Sequence, residues 1–204
     1  FGIDFLDPRA LCFGQQCASM DHAFIGVFEQ RRVFGVIVIA KDNQVHSRLS
    51  KQFEKREVIK EYRAIIWGGP EFDEDWVDTF VRVNPKHREK MQVCEEGGNA
   101  RNAVTWYEVI ERYQRATYLR MLPKTGRTHQ LRVHMTHIGH SIVADAMYGG
   151  HSHATPADLG VEPPVDLPEG TEDVTRIPVI SRQALHAFRL TLCHPESGKE
   201  MTFE

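Results

Sequence analysis

Four consecutive β-branched residues, Val36-Ile37-Val38-Ile39, follow Gly35 and constrain this chain more than any other stretch. A short unbroken run of this kind reads as a strand buried on both faces. Asp42 or Asn43 then caps a helix whose apolar positions Val45, Leu49 and Phe53 recur every four residues, with Arg48, Lys51, Lys55 and Arg56 on its other faces. A second strand is expected over 58–67, with Tyr62, Ala64 and Ile66 on one face, stopped by Gly68-Gly69-Pro70. Beyond an acidic loop at 71–75, the pattern predicts strands over 76–83 and 91–95, a Gly97-Gly98 turn, and a hairpin built from 103–113 and 116–121. Leu131, Met135 and Ile138 sit at helical spacing within a short helix over 128–138. The Pro-, Asp- and Glu-rich stretch 151–178 reads as a loop insertion, because a strand-like segment returns at 184–192. Residues 1–34 show neither sustained alternation nor a helical stripe and form a divergent, unassigned segment. The sum is a single α+β domain over 35–204, on a mixed, mainly antiparallel sheet with a few helices.

At 204 residues the chain is long enough to bury a core without staples. No apolar run approaches the roughly twenty residues that cross a bilayer, so membrane-spanning readings fall away. The four cysteines form no CxxC pair and no secretory pattern opens the chain, which places it in a reducing cytoplasm. A formal net charge of −3 argues against coating nucleic acid by bulk charge while leaving room for a local basic groove.

Such a groove has a candidate. The run Lys124-Thr125-Gly126-Arg127-Thr128-His129-Gln130-Leu131-Arg132-Val133-His134 packs a glycine turn, two arginines and two histidines into one strand-to-helix junction. Backbone N–H groups at a helix start, together with guanidinium forks, suit a phosphate or carboxylate. A capped surface helix with solvated arginines is the plainer alternative. Between Arg120 and His134 there are four Lys or Arg and no acid, and the 43–56 helix and the start of the next strand add a second basic stretch. Acids gather instead in the loops at 71–75 and 158–173. One positive face for an anionic polymer follows.

Other residues remain open on sequence grounds. His129, His134, His137 and His140 crowd into twelve residues, but neither HExxH nor a cysteine-rich pattern accompanies them, so no metal is expected. Asp145, ahead of Tyr148-Gly149-Gly150, holds a loop or catalyses, the loop role being favoured. Tyr62, flanked by Lys60 and Arg63, is either core or a stacking surface for a base.

Taken in order, these motifs resemble the RluA-type family of RNA pseudouridine synthases. The likeness runs through Gly35–Lys41, Lys60-Glu61-Tyr62-Arg63-Ala64, the whole 124–134 run, Ile138-Gly139-His140 into Ile142-Val143-Ala144-Asp145 and Tyr148-Gly149, then 182–187 and 194–199. The resemblance implies a pseudouridine synthase-like catalytic fold and a cofactor-free isomerase that converts uridine to pseudouridine in structured RNA, ribosomal or transfer. It implies that Tyr62 packs on the base and helps remove the carbon-five proton. It also implies that Arg132 pairs with a catalytic aspartate, and that Lys60, Arg63, Lys124, Arg127, His129 and Gln130 contact RNA. Each role is chemically sensible: a guanidinium fork orients a carboxylate, and an aromatic face supports a base that has left its stack.

One position departs from the pattern. Family members carry a histidine-arginine-leucine-aspartate segment before the Gly35 strand, and here the aspartate slot holds Gln30, with Phe28 at the arginine. An amide is neither nucleophile nor base, and it is expected to leave Arg132 without its anionic partner. The chain as it stands is then expected to bind RNA without turnover, the alternative to an active isomerase.

Overall fold

The computed structural model describes residues 18–19, 23–30, 33–161 and 176–204, with side chains described from residue 35 onward. The chain forms two compact units, one of residues 1–62 and 186–204 and the other of residues 63–185.

In the first unit β1 (Ala18–Ser19) pairs antiparallel with β2 (Ala23–Gln30), and β2 with β3 (Val33–Ala40). β3 then runs parallel to β9 (Leu185–Cys193), which pairs antiparallel with β10 (Glu200–Phe203). Strand structure within 1–34 corrects the reading of that segment as patternless: β2 runs beside the whole of β3, with Gln30 opposite Val33. Gly35 is indispensable to the parallel pair. Its φ is +117°, and a Cβ there would lie 2.1 Å from the Ala187 carbonyl oxygen.

Helix α1 (Asn43–Glu54) is capped by Asp42, whose carboxylate accepts from the Gln44 and Val45 amides at 2.8 and 2.9 Å. Val45 and Leu49 pack with Val36, Val58, Leu190 and Leu192 into the core of this unit. Gln52 fastens α1 to β9 by donating to the Cys193 carbonyl and accepting from the Cys193 amide. The β-branched run is at least partly buried on each of its faces. Val36 and Val38 join the core, while Ile37 and Ile39, pointing the other way, are half-buried.

β4 (Ile59–Trp67) carries the chain from the first unit into the second, the boundary falling after Tyr62. Ala64 and Ile66 are buried as the alternation requires, whereas Tyr62 is half-buried. Glu61, on the opposite face, is buried beside Arg189, whose Nη1 lies 3.6 Å from its carboxylate.

In the second unit β5 (Glu74–Val83) pairs antiparallel with β6 (Met91–Cys94) and with β7 (Arg101–Arg112), and β7 with β8 (Ala116–Pro123). These strands lie in the order β8-β7-β5-β6. Helix α2 (Gln130–His137) lays Val133 against Val81 and Ala103. Within the expected loop insertion a short helix, α3 (Pro156–Leu159), starts from a Thr155/Asp158 capping box, and Ala154 bridges to Ile180. The fold is α+β, and its sheet is mixed, with β3 and β9 parallel and the other pairs named above antiparallel. Among the described residues no helix is long and apolar enough to cross a membrane.

Candidate active site

The turn between β8 and α2 is held from inside by Gln130. Its side chain is 4% exposed and fully used. Oε1 accepts from the Thr125 hydroxyl (2.7 Å) and the Arg127 amide (2.9 Å), and Nε2 donates to the Val104 carbonyl and the Thr105 hydroxyl (both 3.0 Å). An amide with two donors and two acceptor sites has nothing left for RNA. Gln130 thus braces the turn from within, whereas the sequence reading expected it at the RNA surface. His129 enters the helix in the left-handed region, φ +53°, and gives α2 no side-chain cap.

His134 pins α2 to the sheet. It is completely buried, with Nδ1 3.0 Å from the Thr105 hydroxyl and Nε2 3.1 Å from the Thr79 hydroxyl. Burial pushes its pKa down to about 4, His137 adds to the fall, and Asp78 opposes it. It is neutral at physiological pH, and hydroxyls meet both ring nitrogens.

Arg132 lies two residues earlier on the same helix. It is 9% exposed and forms a two-pronged pair with Asp145, Nε to Oδ2 at 2.7 Å and Nη2 to Oδ1 at 2.6 Å. The expectation that Gln30 leaves Arg132 without an anion is thus wrong, because the partner comes from a residue thirteen positions further on. Asp145 is 1% exposed, and its Oδ1 also accepts from the Met147 and Tyr148 amides. Its carboxylate is thus enclosed by the Arg132 guanidinium and two backbone amides.

Tyr148 closes the assembly. Its ring lies 4.8 Å below the Arg132 guanidinium carbon. Its hydroxyl accepts from the Met91 amide at 2.7 Å and meets His129 Nδ1 at 3.0 Å. Burial pushes this phenol above its ordinary pKa, with the Met91 amide and Arg132 pulling the other way. The spacing of Asp145 and Tyr148 is plain in the sequence, but nothing in it points to Arg132.

Of the remaining expected contacts in this unit, Lys124 is exposed, with Nζ 5.8 Å from the Trp76 ring. Arg127 is half-buried and donates from Nε to the Asn102 carbonyl at 3.0 Å. Arg63 is half-buried on β4. In the first unit Lys60 is half-buried, and its amine is pushed down by burial and, secondarily, by Arg56. Burial pushes the Tyr62 phenol up. Gln30 is the last residue of β2.

The sequence and the fold both have counterparts among known proteins. The pattern of the family described as RNA pseudouridylate synthase matches residues 31–137, just over half of the chain. The chain belongs to that family. An uncharacterized RNA pseudouridine synthase of Chlorobaculum parvum is 37% identical over 172 residues, covering 83% of this chain and 50% of the relative. Ribosomal large subunit pseudouridine synthase D of Neisseria meningitidis serogroup B is 38% identical over 170 residues, covering 83% of this chain and 41% of the relative. The chain thus spans about half the length of the curated relatives it matches. Among solved structures, human RNA pseudouridylate synthase domain containing 1 shares the fold, with a TM-score of 0.67 over 92% of this chain and 82% of that one, at 20% identity.

Proposed function

We propose that this chain is the catalytic core of a pseudouridine synthase that isomerises uridine in structured RNA, in the cytoplasm and without a cofactor. The reaction breaks the bond from ribose C1′ to N1 of uracil, joins C1′ to C5, releases the C5 proton and protonates N1. Electrons balance within the nucleotide, so the chemistry requires no redox partner. Relatives named for the large ribosomal subunit favour ribosomal over transfer RNA as substrate.

The observation that carries this reading is the fixed guanidinium. Arg132, forked onto Asp145 and backed by Tyr148, is a rigid donor at the start of the helix that the family likeness singles out. Tyr62 supplies an aromatic face for the extruded base, and its elevated phenol pKa favours that role over deprotonation of C5. Lys60, Arg63, Lys124, Arg127 and His129 attract the backbone.

Gln30 favours a second reading for the chain as it stands, a non-catalytic RNA-binding protein. No carboxylate occupies the slot from which the family's aspartate acts, and an amide does not replace it. Tritium release from RNA labelled at uridine C5 separates the two. The isomerase reading predicts release, and the Gln30 reading predicts salt-sensitive RNA binding without it. Robust release by this sequence refutes the claim that Gln30 disables it, and absence of salt-sensitive binding refutes the RNA reading itself.

A further inference from the structure

We infer that Asp145 sets specificity by turning Arg132 into an aimed donor of no net charge, withdrawn from general attraction to the phosphate backbone. The inference rests on the RNA-binding reading above. Three constraints fix the guanidinium. Asp145 takes the edge formed by Nε and Nη2, the Tyr148 ring covers one face, and the stem is rooted in α2. Each constraint is itself held. The Met147 and Tyr148 amides bind the carboxylate, and the Met91 amide binds the Tyr148 hydroxyl. The carboxylate therefore does not swing away to release a free cation.

The pair sums to zero charge, and at 9% and 1% exposure almost no water separates its members. Beyond a few ångströms the two fields cancel. Salt-dependent RNA affinity follows the phosphates neutralised by net positive charge, so Arg132 contributes little to it, whereas exposed Lys124 contributes fully. What Arg132 keeps is direction. Its Nη1 edge offers donors in a fixed plane, which suits an uncharged acceptor such as a uracil carbonyl better than a mobile phosphate. Asp145 is in this sense a positioning residue.

The test is a salt titration of binding to a labelled RNA stem-loop carrying one loop uridine, beside the same RNA with cytidine there. Asp145→Asn leaves the shape and frees one positive charge. The plot of log affinity against log salt should steepen by about 0.7, which makes the affinity loss between about 50 and 200 mM salt about 2.6-fold larger. Preference for uridine over cytidine should fall as well. An unchanged slope in a folded Asp145→Asn protein overturns the inference, because packing alone does not alter the count of phosphates neutralised. If that variant does not fold, the paired change Arg132→Met with Asp145→Leu removes both charges together. It should keep the parent slope, and a slope shallower by about 0.7 overturns the inference. A parent chain that binds neither RNA refutes the functional reading and this inference with it. A parent that binds, with an insensitive Asp145→Asn, refutes only the latter.

Discussion

Acid should loosen α2 before it unfolds the rest, and His134 is the reason. In the folded chain this imidazole stays neutral down to about pH 4, against 6.5 for an ordinary histidine. Above pH 6.5 both folded and unfolded chains hold it neutral, and it gives stability no pH dependence. Between 6.5 and 4 only the unfolded chain takes up the proton, so stability falls with pH across that window. Below 4 both forms are charged and the loss levels off. The full span of 2.5 pH units corresponds to about 3 kcal/mol, of which about 2 kcal/mol is lost between pH 7 and pH 5. His134→Gln keeps a polar group between the Thr79 and Thr105 hydroxyls but does not titrate. Urea unfolding of the two proteins at constant ionic strength isolates the effect, because the carboxylates titrate alike in both. The variant starts less stable at pH 7, and the gap should narrow by about 2 kcal/mol by pH 5. A gap that stays constant over that range means His134 is not held neutral by burial, and the reasoning fails.

Two further substitutions probe the frame around the site. Gly35→Ala places a methyl group 2.1 Å from the Ala187 carbonyl oxygen at a φ of +117°; it should cost at least about 4 kcal/mol or abolish folding, and a melting temperature near the parent's would contradict the parallel pairing. Gln130→Glu keeps the shape but removes both donors, to Val104 and Thr105, and buries a charge. It should cost about 3 kcal/mol in chemical denaturation while the folded fraction still binds RNA. Weakened binding without lost stability would restore Gln130 as an RNA contact.

The sequence made local structure legible wherever one short-range rule governed it. Asp42 before an apolar period of four marked α1, and Leu131, Met135 and Ile138 marked α2 within two residues at each end. Strands with clear alternation, such as β4 and β7, emerged for the same reason. The four-residue strand β10 passed unnoticed because so short a segment carries almost no period. α3 was hidden by the Pro and acid content of its surroundings, although Thr155-Pro156-Ala157-Asp158 is a capping signature that could have revealed it. β2 carries a run of apolar residues over Ala23–Gln30 but no strict alternation, so its period does not mark a strand. In the site, Arg132 stood out as a residue type at a suggestive place, but its partner did not. Choosing Asp145 over any other acid depends on where the chain after α2 returns, which is a tertiary fact.

The neutral groups of this chain imply a division of labour. His134 is uncharged, Arg132 is cancelled by Asp145, and burial pushes the Tyr62 phenol further from ionisation. None of these draws a polyanion from a distance. Attraction falls to exposed cations such as Lys124, whose contribution fades with salt, while the buried groups act only over contact distances and keep their geometry at any ionic strength. On the proposed function, a chain with an overall charge of −3 engages RNA through a few surface cations, and its choice among nucleotides rests on groups that salt does not reach.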